Sequence, residues 1–134
     1  MKRKVMYAVL AGLMLTGTAE PVEPAELEPV IVEAVPEKEY LGVFSCTAYC
    51  PCSQCCGAWA DGIVYTGGYD TEGQTIAVDP DVIPLGSVVE IGGHHYIAED
   101  IGGAIDGKEI DLFFCSHEDA WNWGRQMQEV YLVK

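Results

Sequence analysis

The chain has 134 residues, with 21 acidic against 7 basic side chains and a formal net charge of -14. That length holds one compact domain with appendages and leaves little room for a second core. The negative balance excludes a sequence-independent nucleic-acid binder, which needs clustered Lys and Arg to displace counterions from phosphates.

Residues 1–19 have the form of an export signal. Lys2, Arg3 and Lys4 precede an apolar run from Val5 to Leu15, and small residues Thr16 to Ala19 follow. Cleavage is expected near Ala19. The alternative is an uncleaved membrane anchor, although the run is shorter than the ~20 residues of a spanning helix. No Cys closes the segment, so a diacylglyceryl anchor is not expected, and the mature chain should be secreted or cell-wall associated. Residues 20–39 repeat Pro, Glu, Val and Ala without an aromatic side chain, a linker composition that cannot bury enough surface to order itself. This acidic Pro/Glu-rich segment is a spacer, and the folded domain is expected over 40–134.

Beyond Tyr40 short apolar or alternating runs are broken by Gly, Pro, Asn and Asp. Strands are predicted over Gln74–Val78, Ser87–Ile91, His95–Glu99 and Val130–Val133. Gly92-Gly93 marks a turn between two of them. A helix is predicted over Ser116–Gln128, opened by Ser116 as N-cap with Asp119 at the capping-box position. The expected fold is mainly β: a small β-barrel with one or two short helices. Trp121 and Trp123 diverge by roughly 200° on a helix, so one of them should line a groove or lie on the surface.

Six cysteines are present: Cys46, Cys50, Cys52, Cys55, Cys56 and Cys115. In an exported chain disulfides are the default, and sequence does not choose among the pairings. A thiolate metal site is the rival, since Cys52 and Cys55 have C-x-x-C spacing and Cys50 and Cys56 would complete four ligands. His94 and His95 sit at the expected hairpin and His117 in the first helical turn, where solvated or capping roles are expected. Neither a Ser-His-Asp order nor a His-Glu-x-x-His helix is present, which removes the commonest hydrolase rivals.

Three aspartates stand in tight apolar or glycine-rich frames: Ala-Val-Asp79-Pro, Ala-Glu-Asp100-Ile-Gly-Gly and Glu-Ile-Asp111-Leu-Phe-Phe. Asp111 has the most apolar setting, where desolvation raises a carboxyl pKa and keeps the acid protonated near neutral pH. That is the equipment of a glycosidic-bond cleaver. Asp61, Asp70, Asp81, Asp106 and Asp119 have the neighbours of turn, loop or cap residues.

The run Thr75-Ile-Ala-Val-Asp79-Pro-Asp-Val-Ile-Pro84-Leu-Gly86, followed by Tyr96-Ile-Ala-Glu-Asp100-Ile-Gly-Gly-Ala-Ile-Asp-Gly107 and Ile110-Asp111-Leu-Phe-Phe, resembles the 3D domain, named for its three aspartates. The resemblance spans roughly Phe44 to Val133. It extends to stationary-phase survival proteins of Gram-positive bacteria and to the catalytic domain of membrane-bound lytic transglycosylase A. It implies a double-psi β-barrel that cleaves the β-1,4 bond between N-acetylmuramic acid and N-acetylglucosamine in peptidoglycan, leaving 1,6-anhydromuramyl ends. It implies no metal or organic cofactor and peptidoglycan glycan strands as partner; a monomer is the default expectation, apart from the resemblance. Carried over residue by residue, the catalytic aspartates are Asp79, Asp100 and Asp111, with Asp111 as acid and base. Thr75, Gly102 and Gly103 are the expected substrate contacts. The chain departs from many relatives in having Ile101 where a Thr follows the second aspartate. Two alternatives stay open: a glycan-binding module without turnover, and a disulfide- or zinc-stapled interaction domain.

Overall fold

A computed structural model describes residues 17–27 and 29–134. The expected export signal lies almost wholly outside the described residues, and 17–27 and 29–37 carry no helix or strand. No helix among the described residues is long and apolar enough to cross a membrane.

Six strands and two short helices follow in the order β1 (Lys38–Tyr49), α1 (Ser53–Cys56), β2 (Thr75–Val78), β3 (Val88–Ile91), β4 (His94–Asp100), β5 (Glu109–Phe113), α2 (His117–Trp123) and β6 (Gln126–Val133). The strands join as β1-β5-β2-β4-β3-β6 and close into a barrel, because β1 also pairs with β6. Two pairs are parallel, β1 with β5 and β2 with β4. The remaining neighbours are antiparallel.

Alternation along each strand decides what fills the barrel. Phe44 and Cys46 of β1, Ile76 and Val78 of β2, Val89 of β3, Ile110 and Leu112 of β5 and Val130 of β6 form one buried cluster. The intervening residues Tyr49, Ala77 and Phe113 form a second, smaller cluster on the opposite face of the same strands. This outer face carries the site described below.

The predicted turn at Gly92-Gly93 is a two-residue hairpin joining β3 to β4, with Ile91 opposite His94. Both glycines have positive φ, 59° and 79°, which a tight hairpin demands and other residues resist. His94 and His95 are exposed there: His94 Nε2 contacts the Gly73 carbonyl, and His95 contacts Glu90.

The helix predicted to Gln128 is shorter. Ser116 is the N-cap, its hydroxyl accepting from the Asp119 N–H at 3.1 Å, but α2 ends at Trp123. Gly124 turns the chain out of the helix at φ 64°. Gln126, Met127 and Gln128 then pair with Cys46, Ser45 and Phe44 of β1, so strand pairing overrides local helix propensity there. The two tryptophans divide as their spacing requires. Trp121 is 78% exposed, whereas Trp123 packs against the core and donates its indole N–H to the Cys46 carbonyl.

Candidate functional site

The register of four neighbouring strands lays one row of side chains across the outer face of the barrel. Thr47 of β1 pairs with Asp111 of β5, Asp111 pairs with Ala77 of β2, and Ala77 pairs across its other edge with Asp100 of β4. A register shift between Ile76 and Ala77 brings Asp100 into this row. Ala77 contributes only a methyl group, so the floor between the two carboxyl groups stays low. A cavity of about 650 Å³ opens over it, a size suited to a ligand of several rings.

The walls come from segments that the barrel itself does not need. One is the stretch after β1, where Cys55 and Cys56 of α1 and Trp59 of the following 3-10 turn face the cavity. A small loop closed by a bridge between Ile63 and Tyr69 forms the next wall. Ile101, Gly102 and Gly103, just past β4, complete the rim. Trp59 is 81% exposed and Tyr65 66%, so two aromatic faces stand open at the mouth. Such exposed rings have faces free to stack on a ligand.

Asp111 sits on the floor. Its Oδ1 accepts a 2.9 Å hydrogen bond from the Thr47 hydroxyl. Burial pushes its carboxyl up to about 6, with the Asp100 charge acting in the same direction, while the Thr47 hydrogen bond and the Arg125 charge pull the other way. Arg125 itself is bound to the Ser45 hydroxyl at 2.6 Å.

Asp100 braces the wall while facing the cavity. Its Oδ1 accepts from the Tyr65 backbone N–H at 3.0 Å, and its Oδ2 lies 3.2 Å from the Tyr49 hydroxyl. The same hydroxyl donates to Asp70 Oδ1 at 2.6 Å. One phenolic proton thus stands between two carboxyl groups. Burial first, and then these two acids, push the Tyr49 phenol far above its ordinary range. Burial likewise raises Asp70, opposed by the Tyr49 hydrogen bond and reinforced by Asp100, Asp61 and Glu99.

Asp70 and Asp61, which resemble loop residues in sequence, both line the cavity. Nothing local marks them: Asp70 is carried there by the long segment between α1 and β2, where its N–H donates to the Gly62 carbonyl. Tyr49 and Trp59 are further lining residues that spacing alone does not reveal, and Arg125 reaches Asp111 through its charge alone.

Other expected residues lie elsewhere. Asp79 is not part of the cavity lining. Its Oδ1 accepts from the Asp81 N–H at 2.9 Å and its Oδ2 from the Gly107 N–H at 2.8 Å, and these bonds hold its carboxyl below the usual range. Thr75 is buried, donating to Glu99 Oε2 at 2.8 Å and accepting from the Thr71 N–H at 2.9 Å, so its hydroxyl is engaged within the protein. Gly102 and Gly103 do line the cavity. A Cβ at Gly102 would lie 2.9 Å from Ile105, which accounts for that glycine by packing, while Gly103 has open space.

All six cysteines are free thiols. Cys50, Cys52 and Cys55 converge, but the fourth member of their cluster is His117 rather than Cys56. The Cys56 thiol instead contacts the Cys50 carbonyl at 3.2 Å. His117, expected to be solvated or capping, therefore has a different setting.

Fold and site together define a small closed β-barrel whose outer face carries a carboxylate-floored cleft rimmed by aromatic side chains. Residues 74–134 match the family model of the 3D domain, and this part of the chain resembles that family. The match runs from just before β2 to the end of β6, so the floor aspartates fall within it and the cysteine-bearing wall precedes it.

YabE of Bacillus subtilis (strain 168), named for cell wall shaping, is 42% identical over 91 residues, covering 66% of this chain and 22% of YabE. The cell wall-binding protein YocH of the same organism is 56% identical over 52 residues, 38% of this chain and 18% of YocH. The chain thus spans about a fifth of the length of these relatives. Among solved structures, the lytic transglycosylase LtgG of Burkholderia pseudomallei aligns with 53% of this chain and 26% of its own, at a TM-score of 0.47 and 28% identity. MltA from E. coli aligns with 54% of this chain and 27% of its own, at 0.45 and 21%.

Proposed function

We propose that this protein is a peptidoglycan lytic transglycosylase, cleaving the β-1,4 bond between N-acetylmuramic acid and N-acetylglucosamine with Asp111 as acid and base. The observation that carries this reading is the Asp111 carboxyl on the cavity floor, pushed up to about 6 and oriented by Thr47. A carboxyl group in that range is an effective proton donor near neutral pH.

Because Thr47 occupies Oδ1, the proton for the glycosidic oxygen is carried on Oδ2. As the bond breaks, the Asp111 carboxylate takes the proton of the muramyl C6 hydroxyl while that oxygen closes on C1. The nucleophile is tethered to the sugar it attacks, with an effective concentration of about 10⁵ M or more, so no second base and no activated water are needed. Asp100, held by Tyr65 and Tyr49, faces the positive charge that develops at the anomeric carbon. Trp59 and Tyr65 offer faces on which sugar rings stack. Asp79 serves as a loop brace, and Thr75 positions Glu99.

Residues 1–19 direct export in this reading, 20–39 act as spacer, and the barrel connections are of the double-psi kind, which the two parallel pairs support. The protein then works as a monomer on glycan strands outside the membrane. A second reading, a glycan-binding module without turnover, is favoured by the open aromatic rim and by the name of its relative YocH, a cell wall-binding protein.

Mass spectrometry of purified peptidoglycan incubated with residues 20–134, beside the Asp111→Asn protein, separates the readings. Anhydromuramyl products from the unaltered protein alone support the lytic mechanism. Ordinary reducing ends mean hydrolysis by water, and retained glycan binding without products moves the assignment to the binding module.

A further inference from the structure

We propose that Cys50, Cys52, Cys55 and His117 form a structural zinc site that clamps the segment following β1 to the start of α2. The three Sγ atoms and His117 Nδ1 all lie within 4.8 Å of one another. Nδ1 stands 3.6 Å from Cys50 Sγ, 3.4 Å from Cys52 Sγ and 3.6 Å from Cys55 Sγ, nearly equidistant from the three sulfurs. A tetrahedral ion with Zn–S of about 2.3 Å and Zn–N of about 2.0 Å requires N···S separations of about 3.6 Å and S···S separations of about 3.8 Å. Cys50 Sγ lies 3.0 Å from Cys52 Sγ and 3.5 Å from Cys55 Sγ, somewhat contracted but well beyond a covalent S–S bond of about 2.0 Å.

Local structure explains how sequence spacing becomes convergence. The N–H groups of Cys55 and Cys56 both donate to the Cys52 carbonyl, at 3.1 and 2.9 Å, so the chain curls and turns the thiols toward one point. The fourth ligand arrives from 62 residues downstream of Cys55. Ser116 caps α2 and fixes its first residue, His117, whose ring stacks on Trp121 at 6.4 Å between centroids and 26° between planes.

A disulfide joins two thiols and would leave the third, with the imidazole, converging on nothing. One ion uses all four. Three soft thiolates with one imidazole suit zinc and are poor partners for calcium or magnesium. Four protein ligands close the coordination sphere, which makes the role structural rather than catalytic. On binding, the three thiols release their protons to solvent.

The segment needs such a clamp. Neither α1 nor the 3-10 turn Gly57–Trp59 contains a buried residue, and only the partly buried Cys56 packs against the outer cluster, so hydrophobic packing contributes little to the segment's position. Yet Cys55, Cys56 and Trp59 form one wall of the cleft. Small domains commonly fasten such excursions with metal or disulfide. The inference concerns this wall and stands whether the cleft cleaves glycans or only binds them.

The test is cobalt titration of the reduced, chelator-stripped full chain. The expected result is sulfur-to-cobalt charge-transfer absorption with intense tetrahedral d–d bands, saturating at about one equivalent and bleached by zinc. Cys52→Ser and His117→Ala should lose the tetrahedral spectrum, Cys115→Ser should keep it, and His117→Cys should keep it with shifted bands. The last variant retains four ligands and guards against loss through misfolding. Absence of a tetrahedral spectrum while all thiols are free overturns the proposal. So does saturation unchanged by both ligand variants, or a disulfide among Cys50, Cys52 and Cys55 in the exported protein.

Discussion

Asp100 and Asp111 pair with the same residue, Ala77, across opposite edges of β2. Their backbones are therefore two strand spacings of about 4.8 Å apart, with only a methyl group between them. Each is held differently: Asp111 by a side-chain hydroxyl from β1, Asp100 by a backbone N–H and a phenol from the surrounding walls. The burial that lifts Asp111 thus comes with a neighbouring carboxylate that lifts it further, and an acid and a charge stabiliser share one floor.

Asp111→Asn should abolish glycan cleavage while keeping the fold and glycan affinity. The amide is isosteric and can still accept from Thr47, but it cannot exchange a proton at neutral pH. Loss of a general acid costs about 10²- to 10⁴-fold, so product formation should fall at least that far. Muropeptide analysis checks the rate, and circular dichroism checks the fold.

The raised Asp111 pKa makes a signed prediction for pH. Cleavage needs the protonated form at the first step, so the rate should decline as pH rises through about 6. Stability moves the same way. Between the ordinary value of 3.8 and about 6 the folded state binds the extra proton, so stability falls as pH rises through this window, and the penalty is complete above it. Asp111→Asn should remove about 1 to 3 kcal/mol of that penalty. Urea denaturation at pH 4, 5, 6 and 7 should show the variant gaining on the unaltered protein toward neutral pH. Parallel curves would rule this out.

Period-two alternation is a local signal, and β2, β3 and β4 lie within a residue of their predicted limits, whereas β1 and β5 are not among the predicted strands. The β6 strand is half hidden, since Gln126 to Gln128 have helix-compatible side chains and only pairing with β1 extends them. The site is legible in part for the same reason. Asp111 stands out against an apolar run, but the run does not surround it: Ile110 and Leu112 face the barrel interior, and only Phe113 shares its side of the sheet. Asp70 and Tyr49 meet across 21 positions of chain, and His117 meets Cys55 across 62, so no spacing rule reaches them.

Tyr49→Phe leaves Asp70 and Asp100 without the proton they share. Removing a partner from a half-buried carboxyl pair costs about 1 to 3 kcal/mol, because the acids then face each other directly. The Tyr49 hydrogen bond opposes the burial that raises the Asp70 carboxyl, so without it Asp70 should take up a proton at higher pH than before. Carboxyl chemical shifts followed through a pH titration should report this, with a loss of turnover of about 10- to 100-fold through the displaced Asp100.

Trp59→Ala tests the rim apart from the floor. At 81% exposure the side chain contributes little to folding, and the change in stability should stay within about 0.5 kcal/mol. If Trp59 stacks on sugar, glycan affinity should weaken about tenfold while the pH profile of cleavage stays fixed. Pull-down on purified peptidoglycan with a thermal melt as control distinguishes this from unfolding of the wall.

Asp79→Ala should behave as the opposite case. The Asp79 carboxylate accepts from Asp81 and Gly107, fastening the turn after β2 to the loop before β5. It lies outside the cleft lining, so the variant should melt at lower temperature yet keep, per folded molecule, the turnover of the unaltered protein. Its depressed pKa sets the sign of the acid response. The stabilisation is present above the unfolded value and is lost as pH falls through the folded one, so the difference in melting temperature should shrink on acidification. A loss of turnover comparable to Asp111→Asn, at full folding, would place Asp79 in the chemistry after all.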